Sequence, residues 1–308
     1  MLKFETIDPH FATLLDTTIE IEVISSGHKW TEGPVWINDQ LFFNDIPNKK
    51  MHVWSEKSGI STALENSEFA NGNTIDMSGN MVSCEHGGRR VIRRIDPMNL
   101  NIIEVIAERY QGKRLNSPND VVVKSDGTIW FTDPPYGINS DIEGYLADSE
   151  IGGNFVFRID CDGTITAIAT DFDKPNGLAF SPDETKLYIA DSGAIRGASF
   201  PSIDHNLAHH IRVFDVIENE LHNSRIFTEI DVGVADGFRI DTEERVWTSA
   251  LDGIRCLASD GTLLGKILLP EQTSNCCFGG TDRTDLFITS SSHVYRVRTN
   301  CCGAETLR

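Results

Sequence analysis

One pattern recurs along this chain and restricts its fold more than any other feature. A polar residue opens a short apolar strand, a Gly/Asp/Asn turn follows, and a second apolar strand returns. The unit fits "EGPVWINDQLFFNDI" from Glu32, "GNTIDMSGNMVSCEH" from Gly72, "NDVVVKSDGTIWFTD" from Asn119 and "NGLAFSPDETKLYIADS" from Asn176. It fits again in "DGFRIDTEERVWTSAL" from Asp236 and "NCCFGGTDRTDLFITSS" from Asn275. A third apolar strand follows most hairpins ("MHVWS", "RVIRRID", "NFVFRID", "HIRVFDV", "GIRCLAS", "HVYRVRT"), and often a fourth ("GTITAIAT", "SRIFTEI", "GTLLGKILL"). Six units of about four strands each predict an all-β chain folded as a six-bladed β-propeller. The unit starts are 40, 47, 57, 60 and 39 residues apart, and the two long intervals hold insertions, "INSDIEGYLADSEIGG" and "SGAIRGASFPSIDHNLAHH". Strands and helices do not alternate as a βαβ protein would require, and only "DPHFATLLD" reads as a short helix. The expected organisation is one propeller over residues 1–308, with 1–18 as an N-terminal extension packed on it.

Charge and composition narrow the function. Net charge is -19, with 46 acidic and 27 basic residues, which disfavours nucleic acid and anionic membrane as partners and suits a bound cation. No apolar run approaches the roughly 20 residues of a membrane helix. The N-terminus lacks the basic-then-apolar order of a secretion signal. Seven cysteines include the adjacent pairs Cys276–Cys277 and Cys301–Cys302 but no CxxC. The expectation is therefore reduced thiols in a cytoplasmic protein, monomeric or weakly self-associating.

In a propeller the first strand of every blade lines the central channel, and all six run the same way. The residues that open them converge on one end of that channel: Glu32, Gly72-Asn73, Asn119, Asn176, Asp236 and Asn275. Each of these taken singly reads as a turn or strand-end residue, since Asn and Asp favour such positions for local reasons. Two carboxylates and several amides at equivalent positions form an oxygen-rich set suited to a hard or borderline divalent cation.

The motifs "TEGPVW", "SPNDVVV", "DPPYG", "KPNGLAFSPDE" and "ADGFRID" together resemble the regucalcin/gluconolactonase family of six-bladed propellers, over about residues 16–298. With "CEHGGRR", the chain is most similar to the bacterial gluconolactonase branch. The resemblance implies hydrolysis of a sugar-acid lactone by one divalent metal, calcium first and magnesium, zinc, manganese or iron as alternatives. The implied ligands are Glu32, Asn176 and Asp236, with Asn119 near the metal and on substrate or water. Animal members carry an arginine where this chain has Ser117, so substrate recognition falls to other groups. His86 and Arg89 are the candidates, being the basic residues nearest the expected mouth.

A lactone is an ester whose carbonyl must be polarised while water attacks. Asp236 is the expected general base, with Glu32 mainly electrostatic. No GxSxG stretch is present, which disfavours an acyl-enzyme route. The alternatives on this fold are an esterase or phosphotriesterase with an axial metal, and a cation-binding propeller without catalysis.

Overall fold

Turn chemistry sets the hairpins. Asn38 and Asp39 both take the left-handed conformation, at φ 50° and 60°, the backbone that a tight two-residue hairpin requires. They join strand Thr31–Ile37 to Gln40–Asp45, with Ile37 opposite Gln40. The computed structural model describes residues 3–94, 100–196 and 202–304. Outside the described residues fall the ends of the N-terminal extension and of the chain, Ile95 and Asp96 of the expected strand "RVIRRID", and positions 197–201 of the second insertion.

Six antiparallel sheets follow one another. Blade 1 holds Thr31–Ile37, Gln40–Asp45, Lys50–Ser55 and Gly59–Leu64. Blade 2 holds Ala70–Ile75, Met81–Glu85, Arg90–Arg94 and Ile102–Ala107. Blade 3 runs through Val121–Val123, Ile129–Asp133, Phe155–Ile159 and Ile165–Ala169, and blade 4 through Pro175–Phe180, Lys186–Asp191, His210–Ile217 and Glu220–Glu229. Blade 5 has Phe238–Ile240, Val246–Ala250, Gly253–Leu257 and Leu263–Leu268. Blade 6 takes Thr273–Gly279, Asp285–Ser290 and His293–Arg298 from the end of the chain and its outer strand, Glu22–Ser26, from the beginning. Each inner strand touches the inner strands on both sides, and the last touches the first. The ring is a closed six-bladed propeller, as the repeat predicts. The borrowed outer strand of blade 6 was not read from the sequence, because its partner lies far away in the chain.

The N-terminal segment fastens the ring a second time. Lys3–Thr6 adds a fifth strand to blade 5, with Phe4 opposite Ile267. The expected helix shrinks to Phe11–Leu14, and it buries Phe11 beside Trp247, their ring centroids 6.3 Å apart.

Apolar packing is distributed around the circle. Among the described residues there are six apolar clusters, one at each blade interface. Strand alternation explains the first cysteine pair. Cys276 points into the interface of blades 5 and 6, whereas Cys277 points into that of blades 6 and 1. All seven cysteines are free thiols.

Candidate active site

The residue that opens an inner strand reaches the channel only if the next blade's backbone comes close. Glycine permits that approach. Gly33 has φ +55°, and a Cβ there would lie 1.8 Å from the Asn71 carbonyl oxygen. A Cβ on Gly237 would lie 1.9 Å from Asn275 Cγ. The strand openings are then linked in sequence: Gly72 N–H donates to Asn119 O at 2.8 Å, Gly177 N–H to Asp236 O at 3.0 Å, and Gly237 N–H to Ser274 O at 2.7 Å. This pattern corrects two anchors. In blades 2 and 6 the equivalent residues are Asn71 and Ser274, one position before those expected. Asn73 instead ties blade 2 to blade 1, donating to Gly33 O at 2.7 Å. Asn275 donates from Nδ2 to Glu32 Oε2 at 3.0 Å.

Glu32, Asn119 and Asn176 are buried, and Asp236 is partly exposed. Glu32 is pushed up to about 7, chiefly by burial, with Asp120 adding to the shift and the Arg239 guanidinium opposing it. Asp236 is raised well above the usual carboxylate range by burial and then by the charges of Glu32, Glu143 and Asp120, against a hydrogen bond with Asn176. Asn176 also donates from Nδ2 to Ser192 Oγ at 3.2 Å, and Ser249 Oγ accepts from the Asp236 N–H at 2.9 Å. Carboxylates crowded this way favour either a proton or a cation. The donor set of two carboxylates and two amides fits a divalent ion. Glu32, Asn176 and Asp236 could hold it.

A second layer of groups faces the same mouth. His86 is buried, and its Nδ1 lies 3.0 Å from the Glu143 carbonyl oxygen. A carbonyl only accepts, so Nδ1 carries the proton, and Nε2 accepts from Asn71 Nδ2 at 3.2 Å. Burial holds this imidazole down to about 4, so it is neutral. Arg89 is buried away from solvent: its Nε donates to Leu115 O at 2.7 Å and Asn116 O at 3.1 Å, and Nη1 is 3.8 Å from Glu150. In this arrangement it braces the loop leading to Asn119. Ser117 Oγ donates to Pro134 O at 2.6 Å and accepts from the Gly137 N–H at 2.9 Å, fixing the double-proline turn. Arg90 and Arg94 pair with Glu85 at 2.6 and 2.7 Å, and Arg93 with Asp76 at 2.8 Å.

Four groups escaped sequence reasoning. Glu143 sits in the first insertion, which reaches across the mouth from blade 3. Tyr145 N–H donates to Gly137 O at 2.9 Å, and Tyr145 OH accepts from Lys49 of blade 1 at 3.0 Å. Burial pushes the Glu143 carboxyl up to about 7. Tyr136 of "DPPYG" has a buried hydroxyl whose pKa is raised by burial and by Asp236. Asp120 and Arg239 meet inside the channel, Oδ2 to Nη1 at 3.9 Å. Arg239 also lines a cavity of about 750 Å³ toward the opposite end, beside Trp36, Ile75 and Phe180. The signal for Arg239 was present: in the buried strand Phe238–Ile240 the middle side chain must face opposite its neighbours.

The acids that close the second strands do something different. Asp133 Oδ2 and Oδ1 accept from the N–H groups of Asn116 and Ser117, each at 2.8 Å. Asp191 does the same for Asp173 and Lys174 at 3.0 and 2.9 Å, and Asp45 for Lys29 and Trp30 at 3.2 and 3.3 Å. These carboxylates hold the loops that enter the inner strands.

Residues 30–292 match the pattern of the SMP-30/Gluconolactonase/LRE-like region. The chain belongs to this family. It is 36% identical to a gluconolactonase of Zymomonas mobilis over 98% of this chain and 87% of that protein. A pentonolactonase of Haloferax volcanii is 25% identical over 87% and 84%. A solved gluconolactonase structure from Xanthomonas campestris superposes with a TM-score of 0.87 at 33% identity, covering 96% of this chain and 95% of that one. A calcium-binding regucalcin of Agrobacterium tumefaciens shares the fold, with a TM-score of 0.72 at 16% identity over 92% and 95%. No helix among the described residues is long and apolar enough to cross a membrane.

Proposed function

We propose that this chain is a metal-dependent lactonase that opens a sugar-acid lactone. The observation that carries this reading is the coupling of Asp236 to Asn176 by a hydrogen bond and to Glu32 by charge, three residues from separate blades, in a propeller related to lactonases. Glu32, Asn176 and Asp236 would hold one divalent ion, calcium being the first choice because the neighbouring regucalcin fold binds it. When bound, such an ion supplies Lewis acidity toward the lactone carbonyl and lowers the pKa of water.

The chain's own groups do the rest. Asp236 accepts the proton of the attacking water as general base. Asn275 and the Gly33 N–H fix one oxygen of Glu32. Asn119 orients substrate, with neutral His86 holding Asn71 and the Glu143 loop in place. Arg89 keeps the Asn116 loop in register. The same reading has the enzyme acting in the cytoplasm on a freely diffusing lactone.

The test is hydrolysis of glucono-δ-lactone, followed with a pH indicator, by protein stripped with chelator and verified by elemental analysis. Turnover should vanish while circular dichroism stays unchanged, and calcium or another divalent ion should restore it. Binding at a hundredfold excess over Kd stabilises by about 2.7 kcal/mol, so the melting midpoint should fall by a few degrees on stripping. Full activity without metal would overturn the reading.

A further inference from the structure

Among the described residues, blade 1 carries a cluster of two imidazoles and a carboxylate that blades 3 and 4 do not. Asp45 closes its second strand as Asp133 and Asp191 close theirs, and it holds the loop N–H groups in the same way. That clamp needs no imidazole, yet two converge on Asp45. His28 lies in the linker between the borrowed strand Glu22–Ser26 and the inner strand Thr31–Ile37. His52 lies on the third strand, opposite Phe43. One ligating atom from each of the three residues falls within 4.8 Å of the other two.

We propose that His28, Asp45 and His52 form a second cation site, for a borderline divalent ion of the zinc class, distinct from the oxygen-rich site on the channel axis. Two imidazole nitrogens and one carboxylate oxygen are the donors such an ion prefers. The His28 Nδ1 to Asp45 Oδ2 separation is 3.5 Å. Ligands bound tetrahedrally at zinc distances stand roughly 3.3 Å apart, so this pair is already close to its bound spacing. The outer contacts are those a ligand set requires. His28 Nε2 lies 2.7 Å from Ser25 Oγ, which fixes the ring with Nδ1 toward Asp45. Asn48 Nδ2 donates to Asp45 Oδ2 at 2.7 Å. His52 has Nδ1 3.5 Å from Thr62 Oγ1, leaving Nε2 for the cluster. Phe43 backs both rings, at 5.2 Å from His28 and 5.3 Å from His52. His52 is half-buried, so water can fill the fourth position.

The site lies at the seam where the ring closes. An ion there would join the linker after the borrowed strand to two strands of blade 1, four residues ahead of Glu32.

The experiment uses the full-length chain, stripped of metal and resupplied with calcium, then titrated with Co2+. Wild type should bind one further equivalent with the intense visible d–d bands of a four-coordinate ion with nitrogen ligands. His28→Gln and His52→Asn should each lose that equivalent and its bands, whereas Asp236→Asn should keep them. Zn2+ should displace the Co2+ and raise the melting midpoint of wild type by a few degrees. Only the weak absorption of an oxygen-coordinated ion in wild type would overturn the proposal, and this reading does not depend on any variant folding. Bands that survive both histidine substitutions, or that disappear only in Asp236→Asn, would overturn it as well.

Discussion

Two sets of acids crowd the same mouth of the channel, and their fates differ. Asp133 and Asp191 end second strands, and each has both oxygens engaged by N–H groups of an entering loop. Glu32 and Asp236 open first strands, and each is hydrogen-bonded to an amide side chain, Asn275 for one and Asn176 for the other. A carboxylate with both oxygens taken by backbone N–H groups serves geometry. One held by neighbouring amides and pressed by other acids keeps capacity for a cation or a proton. Position within the hairpin, more than residue type, separates the two roles.

The same substitution at both places tests this division most directly. Asp236→Asn should cost at least about 100-fold in kcat, since general-base assistance is worth roughly 10²–10⁴-fold, with little change in unfolding free energy. Asp133→Asn should do the reverse. Its amide can accept from only one of the two buried N–H groups, so stability should drop by about 1–3 kcal/mol in urea unfolding, while kcat stays within about tenfold of wild type. A large catalytic loss at Asp133 with unchanged stability would erase the distinction.

A smaller effect sharpens it. His86 is held neutral in the folded chain, with its pKa down near 4 against an ordinary 6.5. Between those values the unfolded chain binds more protons than the folded one. Stability therefore rises with pH across that window and is lost as pH falls toward 4. From pH 6 to 4.5 the decline due to this residue should be on the order of 1–2 kcal/mol. His86→Gln should flatten that part of the curve. An unchanged slope would mean that the imidazole already carries its charge in the folded state, and its contact with Asn71 would need another assignment, since a protonated Nε2 cannot accept.

The sequence carried the fold because each blade declares itself locally, through a turn and two apolar strands. Glu32, Asn119, Asn176 and Asp236 were legible for the same reason, each being the polar residue that opens such a strand. Blade 2 was misread by one position. "NGN" offers an amide on both sides of a glycine, and only the neighbouring backbone decides that Asn71 faces the mouth while Asn73 ties blade 2 to blade 1. Asp133 could not be told from Asp236 without knowing which N–H groups approach it. Glu143 was hidden in an insertion whose composition says loop and whose destination depends on contacts with Lys49 and Gly137. Sites assembled across blades are written in the spacing of strands, and a loop that crosses the mouth has no such spacing.

Strand Glu22–Ser26 has a consequence in time. It is made early but belongs to the sheet made last, and Arg296 reaches it across 274 positions to donate from Nε to Glu22 at 2.7 Å. On the ribosome this strand must wait, with an unsatisfied edge, until its partner His293–Arg298 has emerged. At about 5–20 residues per second, that interval is on the order of tens of seconds. The circle therefore closes after synthesis, through one of the most distant pairings among the described residues, where the entropic cost of joining chain ends is high. Blades 1 to 5 can order as they appear, whereas the last one depends on a strand that left the tunnel ahead of blade 1.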